Sequence, residues 1–336
     1  MGEKVKWSNS AVNTLRECNR KYYFAHIMAT HGRKNSLRRK AYELKSMQNL
    51  TMWKGSVLDK FMETILIPMI RDKHPLDFDS LADQALELSK RQFNYSKQEV
   101  YTDAFVSKAD AGADFCILDI HALGKEYTES EISEAYSVIH STVLNIPFIK
   151  MPDGQLLVNY LKKADALTPN VNNWIVYVED AQVKPQIDLV AYQNWKPVVM
   201  DWKLSSSFTS DYSTQLVICG ITVYLKRLEK KDKVPYDYSQ IKLFEVNLLQ
   251  GTVTEHEFTE DRINRIIDDI NLTSRDILLL TNGEEYQDID IEDFELTDDE
   301  NSCLFCNFRP LCSFLQINNV YDEKTYAEFI QAKQYC

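Results

Sequence analysis

The chain has 336 residues, 44% of them hydrophobic and 11% aromatic, with only nine glycines and nine prolines. That supports one large core or two smaller ones and excludes a disordered or linker-rich protein. The formal net charge of −12 sits poorly with nucleic-acid binding, but it is unevenly spread: residues 284–300 hold ten acids and no Lys or Arg, and without them the charge is −2.

In chain order, residues 8–29 read as a helix capped by Ser8 or Ser10, with Leu15, Cys18 and Tyr22 on one face. The start has no signal-peptide or myristoylation pattern, and no apolar run is long enough for a membrane helix, so a cytoplasmic location without membrane contact is expected. Residues 30–50 form a basic, polar connection in which Arg33, Lys34, Arg38, Arg39 and Lys40 either track a DNA backbone or form a solvated loop. A helix over 52–71 turns Val57, Leu58, Phe61 and Ile65 inward, and Pro68 ends or kinks it. Residues 77–150 carry no motif and read as a helical insertion within one domain spanning 1–336.

Short β-rich runs follow at 156–160, 174–178, 187–192 and 197–200, with Asn194-Trp195-Lys196 as a hairpin turn. A helix over 211–228, strands over 240–248 and 252–258 joined at Gln250-Gly251, and a helix over 259–281 with Ile263, Ile266, Ile267 and Ile270 buried come next. An acidic and cysteine-bearing segment, 284–316, and a short last helix complete the chain. The acidic stretch reads as a solvated approach to the cysteines. The order gives an α/β fold with a small central mixed β-sheet flanked by helices.

Two groups of residues carry chemistry. Asp188 and Asp201 each lie near a strand end, and a hairpin brings the two strands together, so that both carboxylates converge within range of one hard cation such as Mg2+ or Mn2+. Period-2 alternation puts Lys203 on the face of Asp201, where it can orient water or stabilise phosphate charge, and the Trp202 carbonyl is a further candidate ligand. A single Asp-x-Lys is common; the two acids in sequence, followed by Ser205-Ser206-Ser207 and a helix, are less so.

The second group is Cys303-x2-Cys306-x5-Cys312 with Cys18, 285 residues upstream of Cys303. Four thiolates suit a [4Fe-4S] cluster or a structural Zn2+, and spacing alone does not choose. Cys116, Cys219 and Cys336 have no partner at ligand spacing, and neither do the six histidines.

In these residues the chain resembles the PD-(D/E)XK nuclease superfamily, and within it the RecB-type and CRISPR-adaptation-type exonucleases that carry a four-cysteine iron–sulfur cluster. The matching segments are Trp7-Ser8-Asn9-Ser10 through Cys18-x-x-Lys21-Tyr22-Tyr23-Phe24, Gly55-x-x-x-Asp59-x-x-x-Glu63, Gln186-Ile187-Asp188, Val199-Met200-Asp201-Trp202-Lys203, Gln215 and the three late cysteines. The resemblance implies a restriction-endonuclease-like core and a metal held by Asp59, Asp188, Asp201 and the Trp202 carbonyl. It also implies catalytic roles for Asp188, Asp201, Lys203 and Gln215, and a [4Fe-4S] cluster on Cys18, Cys303, Cys306 and Cys312 that joins the N- and C-terminal segments. The implied substrate is DNA, single-stranded or at duplex ends. Because no Gly-x-x-x-x-Gly-Lys-Ser/Thr loop occurs, unwinding requires a helicase or recombination partner. Asp59 stands where the family has a metal-binding His, Pro185 where it has Gly and Cys219 where it has Tyr; the Asp59 change and the acidic surface leave open a catalytically altered DNA-binding subunit, and the unresolved choice of metal at the cysteines leaves open a zinc-stapled scaffold.

Overall fold

The computed structural model describes residues 4–30, 35–103, 105–205 and 212–334. The chain divides into two compact units. The first comprises Met1–Trp7, Leu50–Arg91 and Tyr127–Ser274, and the second Ser8–Asn49, Gln92–Glu126 and Arg275–Cys336. The predicted helical region 77–150 is mostly helical, but its middle belongs to the second unit and its two ends to the first.

The strands, in chain order, are β1 Val5–Trp7, β2 Met47–Gln48, β3 Ile117–Leu118, β4 Ala166–Val171, β5 Val176–Val178, β6 Ala181–Val183, β7 Ile187–Gln193, β8 Lys196–Lys203, β9 Lys242–Asn247 and β10 Thr252–His256. The first unit is built on a five-stranded sheet, β10-β9-β8-β7-β4, beside a three-stranded one, β1-β6-β5. Only β8 and β9 run parallel in the larger sheet. A parallel pair needs a crossover, and the helix Ser213–Leu228 supplies it. That helix sets Leu216 and Val217 against Val190, Val199 and Leu243. Gly220 permits the close approach, since a Cβ there would lie 2.7 Å from the Phe258 ring.

β7 and β8 form a hairpin whose last pair is Gln193 with Lys196, leaving Asn194 and Trp195 as a two-residue loop with φ of 50° and 60°. The predicted strand at 156–160 is instead the start of a helix, Leu157–Lys162, because Leu157, Val158 and Leu161 bury one helical face. The sequence reading also missed β1, β4 and β6. β4 is an edge strand containing Pro169, which pairs with β7 alone and so tolerates the missing donor. The predicted 52–71 helix runs Leu50–Phe61, a π turn Met62–Leu66, then Ile67–Arg71. The π turn adds one residue and shifts the buried phase from Ile65 to Leu66. Pro68 therefore falls in the first turn of the last piece and does not end the helix.

In the second unit the predicted 8–29 helix breaks at Cys18. Asn9–Glu17 is capped by Ser8; Cys18 is extended, and its sulfur caps Asn19–Tyr22. The expected basic connection contains a helix, Ser36–Ser46, capped by Asn35, with Leu37, Ala41 and Leu44 buried at i, i+4 and i+7. The acidic stretch is only partly solvated, for Ile289, Ile291 and Phe294 between its acids are buried. No described helix is long and apolar enough to cross a membrane.

Candidate active site

One step beyond the Leu189–Met200 pair of the β7–β8 hairpin, Asp188 and Asp201 become cross-strand neighbours. Asp188 Oδ2 accepts the Trp202 N–H at 2.9 Å. Asp201 is buried at 3% exposure, and its Oδ2 lies 2.5 Å from Lys203 Nζ, both residues facing the same way as strand alternation requires. The Lys203 ammonium is both the counter-ion and a hydrogen-bond donor to this carboxylate. From the start of the crossover helix, Gln215 Nε2 donates to Asp201 Oδ1 at 3.0 Å, and Gln215 Oε1 accepts from Lys203 Nζ at 3.5 Å. The Tyr212 ring lies 4.5 Å from the same ammonium.

Asp59 enters from the helix Leu50–Phe61. Burial and then the charges of Asp188 and Asp201 push its pKa well up. The residue is solvent-exposed, so the repulsion deserves the greater weight. Burial and then Asp201 lift Asp188 to about 7, against the Trp202 N–H and Lys203. Asp201 is raised by burial, which outweighs Lys203. Burial alone would lower Lys203, but Asp201, Asp188 and Asp59 raise it on balance, so it is a cation at neutral pH.

The pocket also holds Glu63, already part of the matching Gly55–Glu63 segment, and Glu245, which the sequence reading missed. Glu63 accepts from Lys60 at 2.7 Å and from Asn170, which holds a φ of 47° near the end of β4. Glu245 on β9 is in register with Asp201 and adds to its repulsion, while His256 Nε2 lies 3.0 Å from Glu245 Oε2. An acid interrupting the apolar run Leu243-Phe244-Glu245-Val246 was the available signal for Glu245; its parallel pairing with β8 was not visible.

Among the described residues, no three His, Cys, Asp or Glu side chains stand ready-made around one metal ion. The donor set nevertheless fits a hard divalent cation: the carboxylates of Asp59, Asp188 and Asp201 repel one another, and Asp201 is buried. The Trp202 N–H is the backbone group engaged here, through Asp188.

In the second unit, Cys18, Cys303, Cys306 and Cys312 are all half-buried and line one cavity of about 170 Å3, with Arg20, Lys21 and Phe24. The Lys21 N–H donates to Cys18 Sγ at 3.4 Å. Burial pushes the Cys306 thiol up and Cys312 to about 11; Lys21 and Arg20 oppose, and neighbouring cysteines add. Convergence of four thiols fits a thiolate-held group. Cys116 and Cys219 are buried, while Cys336 lies outside the described residues.

The basic stretch is used differently. Arg38 pairs with Glu323 at 2.6 Å, reaches the Ile27 carbonyl at 3.3 Å and lies over the Tyr286 ring. Arg39 binds the carbonyls of Tyr101 and Asp103 and pairs with Glu43. Both guanidiniums are committed to internal partners; Lys40 is more open, 3.6 Å from Glu43. Arg33 and Lys34 lie outside the described residues.

A family model of the PD-(D/E)XK nuclease superfamily matches residues 6–313, a span that holds the whole carboxylate pocket and all four cysteines. Curated proteins give no match.

Proposed function

The chain belongs to the PD-(D/E)XK nuclease superfamily, and from that membership we propose a metal-dependent deoxyribonuclease, an exonuclease on single-stranded DNA or DNA ends. It serves recombination, repair, phage DNA processing or CRISPR adaptation, with any unwinding left to a helicase or recombination partner. The observation that carries this reading is the meeting of Asp188, Asp201, Lys203 and Gln215 in one pocket, with Asp201 tied to both Lys203 and Gln215.

In this reading Asp59, Asp188, Asp201 and the Trp202 carbonyl hold Mg2+ or Mn2+, which supplies Lewis-acid stabilisation of phosphoryl oxygens and a more acidic water. Gln215 fixes the rotamer of Asp201 through a 3.0 Å hydrogen bond. Lys203, kept protonated by the carboxylates around it, serves as a cation toward the phosphate and not as a general base. Asp188 and Asp201 must shed protons that burial, and then neighbouring carboxylates, encourage them to keep, which couples cation binding to pH.

The cysteines hold a [4Fe-4S] cluster that cross-links Cys18 to the 303–312 segment. Four thiols lining one cavity of about 170 Å3 suit a thiolate-held group, and the resemblance to nucleases that carry a four-cysteine cluster is what favours [4Fe-4S] over one Zn2+. The test of the main reading is anaerobically purified protein with Mg2+ or Mn2+ and end-labelled linear DNA, single- and double-stranded, beside closed circles. Degradation of linear DNA that Asp201→Ala abolishes supports it. Equal cutting of circles makes the protein an endonuclease. Folded, cluster-loaded protein that binds DNA without cutting it supports a catalytically altered binding subunit.

A further inference from the structure

The tip of the β7–β8 hairpin carries a residue that the fold does not favour. A two-residue hairpin loop with positive φ at both positions is the type I′ geometry, which favours Asn-Gly. Asn194 suits the first position. The second is Trp195, at φ 60° and 71% exposed. An L-residue with a bulky side chain loses stability in that region, and a ring so exposed recovers little by packing. The backbone is held there by the hydrogen bond from the Trp195 N–H to Asp165 Oδ2 at 2.8 Å.

The surroundings are basic. Lys196 follows directly. Lys162 and Lys163 lie just before Asp165, in a segment tied to the same strand end by the Gln193 side chain, which donates to the Tyr160 carbonyl at 2.7 Å. All three lysines are exposed and, among the described residues, none is seen paired with an acid; Lys163 Nζ reaches the Gln155 amide at 3.0 Å. In a chain of net charge −12, an exposed aromatic ring among exposed lysines suits a polyanion with flat faces.

We propose that Trp195, with Lys162, Lys163 and Lys196, is a second, non-catalytic contact for single-stranded DNA. Trp195 stacks on a base while the lysines meet phosphates. The choice of DNA rests on the nuclease reading above. Asp201 lies six residue steps beyond Trp195, or about 20 Å along β8. At roughly 3.4 Å per stacked nucleotide, a strand bridging the two places needs about six nucleotides. The contact retains long substrates and is irrelevant to cleavage of very short ones.

The test uses the full chain in EDTA, with an oligothymidylate of about 20 nucleotides, read by tryptophan fluorescence and by anisotropy of a labelled oligomer. Trp195→Ala and Trp195→Gly weaken binding roughly tenfold, Trp195→Phe retains most of it, and replacing the three lysines with Gln flattens the salt dependence by roughly two in slope. Trp195→Gly melts at or above the wild type, because it restores the Asn-Gly turn. Unchanged affinity in Trp195→Ala, an unchanged salt slope, or a markedly lower melting temperature for Trp195→Gly overturns the proposal. Because binding is read without metal, protein that cuts DNA but binds it independently of Trp195 refutes this inference alone. Protein that binds through Trp195 but never cuts refutes the nuclease reading alone.

Discussion

Burial holds back the ionisation of Asp188 and Asp201 in the carboxylate pocket of the first unit and of Cys306 and Cys312 in the cysteine pocket of the second, but the two pockets are balanced differently. The carboxylates bring their own counter-charge: Lys203 lies 2.5 Å from Asp201, and Gln215 and the Trp202 N–H satisfy two more oxygens. The thiols have two backbone N–H groups, of Lys21 on Cys18 and of Phe308 on Cys306, and the nearby charges of Arg20 and Lys21. A site with an internal counter-ion can fold before its cation arrives. A site that lines a cavity with four thiols and no counter-ion of its own gains its cohesion from what it binds. Substitutions in the first pocket should therefore cost chemistry, and substitutions in the second should cost the fold.

The largest expected effect is on cleavage. Asp201→Ala should lower the rate about a thousandfold or more, with no fall in the metal-free melting temperature, because a buried, repelled carboxylate is removed. Lys203→Ala should lose similar activity but also destabilise by roughly 2–3 kcal/mol, leaving Asp201 buried at 3% exposure without its cation. Rates and melting curves on the same preparations separate the two. Equal melting of both variants would contradict the ion-pair account.

Next in size is the cysteine pocket. Cys306→Ala should abolish bound iron and the brown colour, and cost about 2–5 kcal/mol, comparable to losing a native cross-link. Iron content and thermal unfolding measure both. A colourless variant with native melting behaviour would remove the cohesion assigned to this pocket, and zinc with no iron in the wild type would replace the cluster by a single ion.

The two pockets also differ in how legible they were. Asp188, Asp201 and Lys203 fall into place from strand alternation and a two-residue hairpin, both local rules, and Gln215 from the helix that follows. Glu245 and His256 did not, because they reach Asp201 through the parallel β8–β9 pairing, a non-local contact. The second unit was read less well for a different reason. Charge drew attention away from periodicity: Arg38 and Arg39 hid the buried Leu37, Ala41 and Leu44 stripe, and the acids of 284–300 hid Ile289, Ile291 and Phe294. The break at Cys18 is invisible to a periodicity count, since residues on both sides are helical.

A third prediction concerns pH. Asp188 has a folded pKa of about 7, above its ordinary value, so the folded state holds more protons than the unfolded state between about pH 4 and 7. Stability of metal-free protein should therefore fall as pH rises through that window, by up to a few kcal/mol, the opposite of a salt-bridged carboxylate. Adding Mn2+ should reverse the loss near neutral pH, and Asp188→Asn should flatten the profile. A melting temperature that rises from pH 5 to 7 in metal-free wild type, and equally in Asp188→Asn, would place the repulsion elsewhere.

The smallest effect tests Asp59, where the family has histidine. Exchanging an anionic oxygen ligand for a neutral nitrogen removes one charge from a pocket in which Asp188 and Asp201 already push Asp59 up. Asp59→His should relieve that repulsion, lower the apparent pKa of Asp188, and shift cation preference toward Mn2+ over Mg2+ by about tenfold, since imidazole favours the softer ion. Titrations of each metal, followed by thermal shift, give the ratio without reference to cleavage. If the ratio stays fixed, Asp59 lies outside the coordination sphere and contributes only its field. The substitution then moves the pH profile of Asp188 alone, and the cation is left to Asp188, Asp201 and the Trp202 carbonyl.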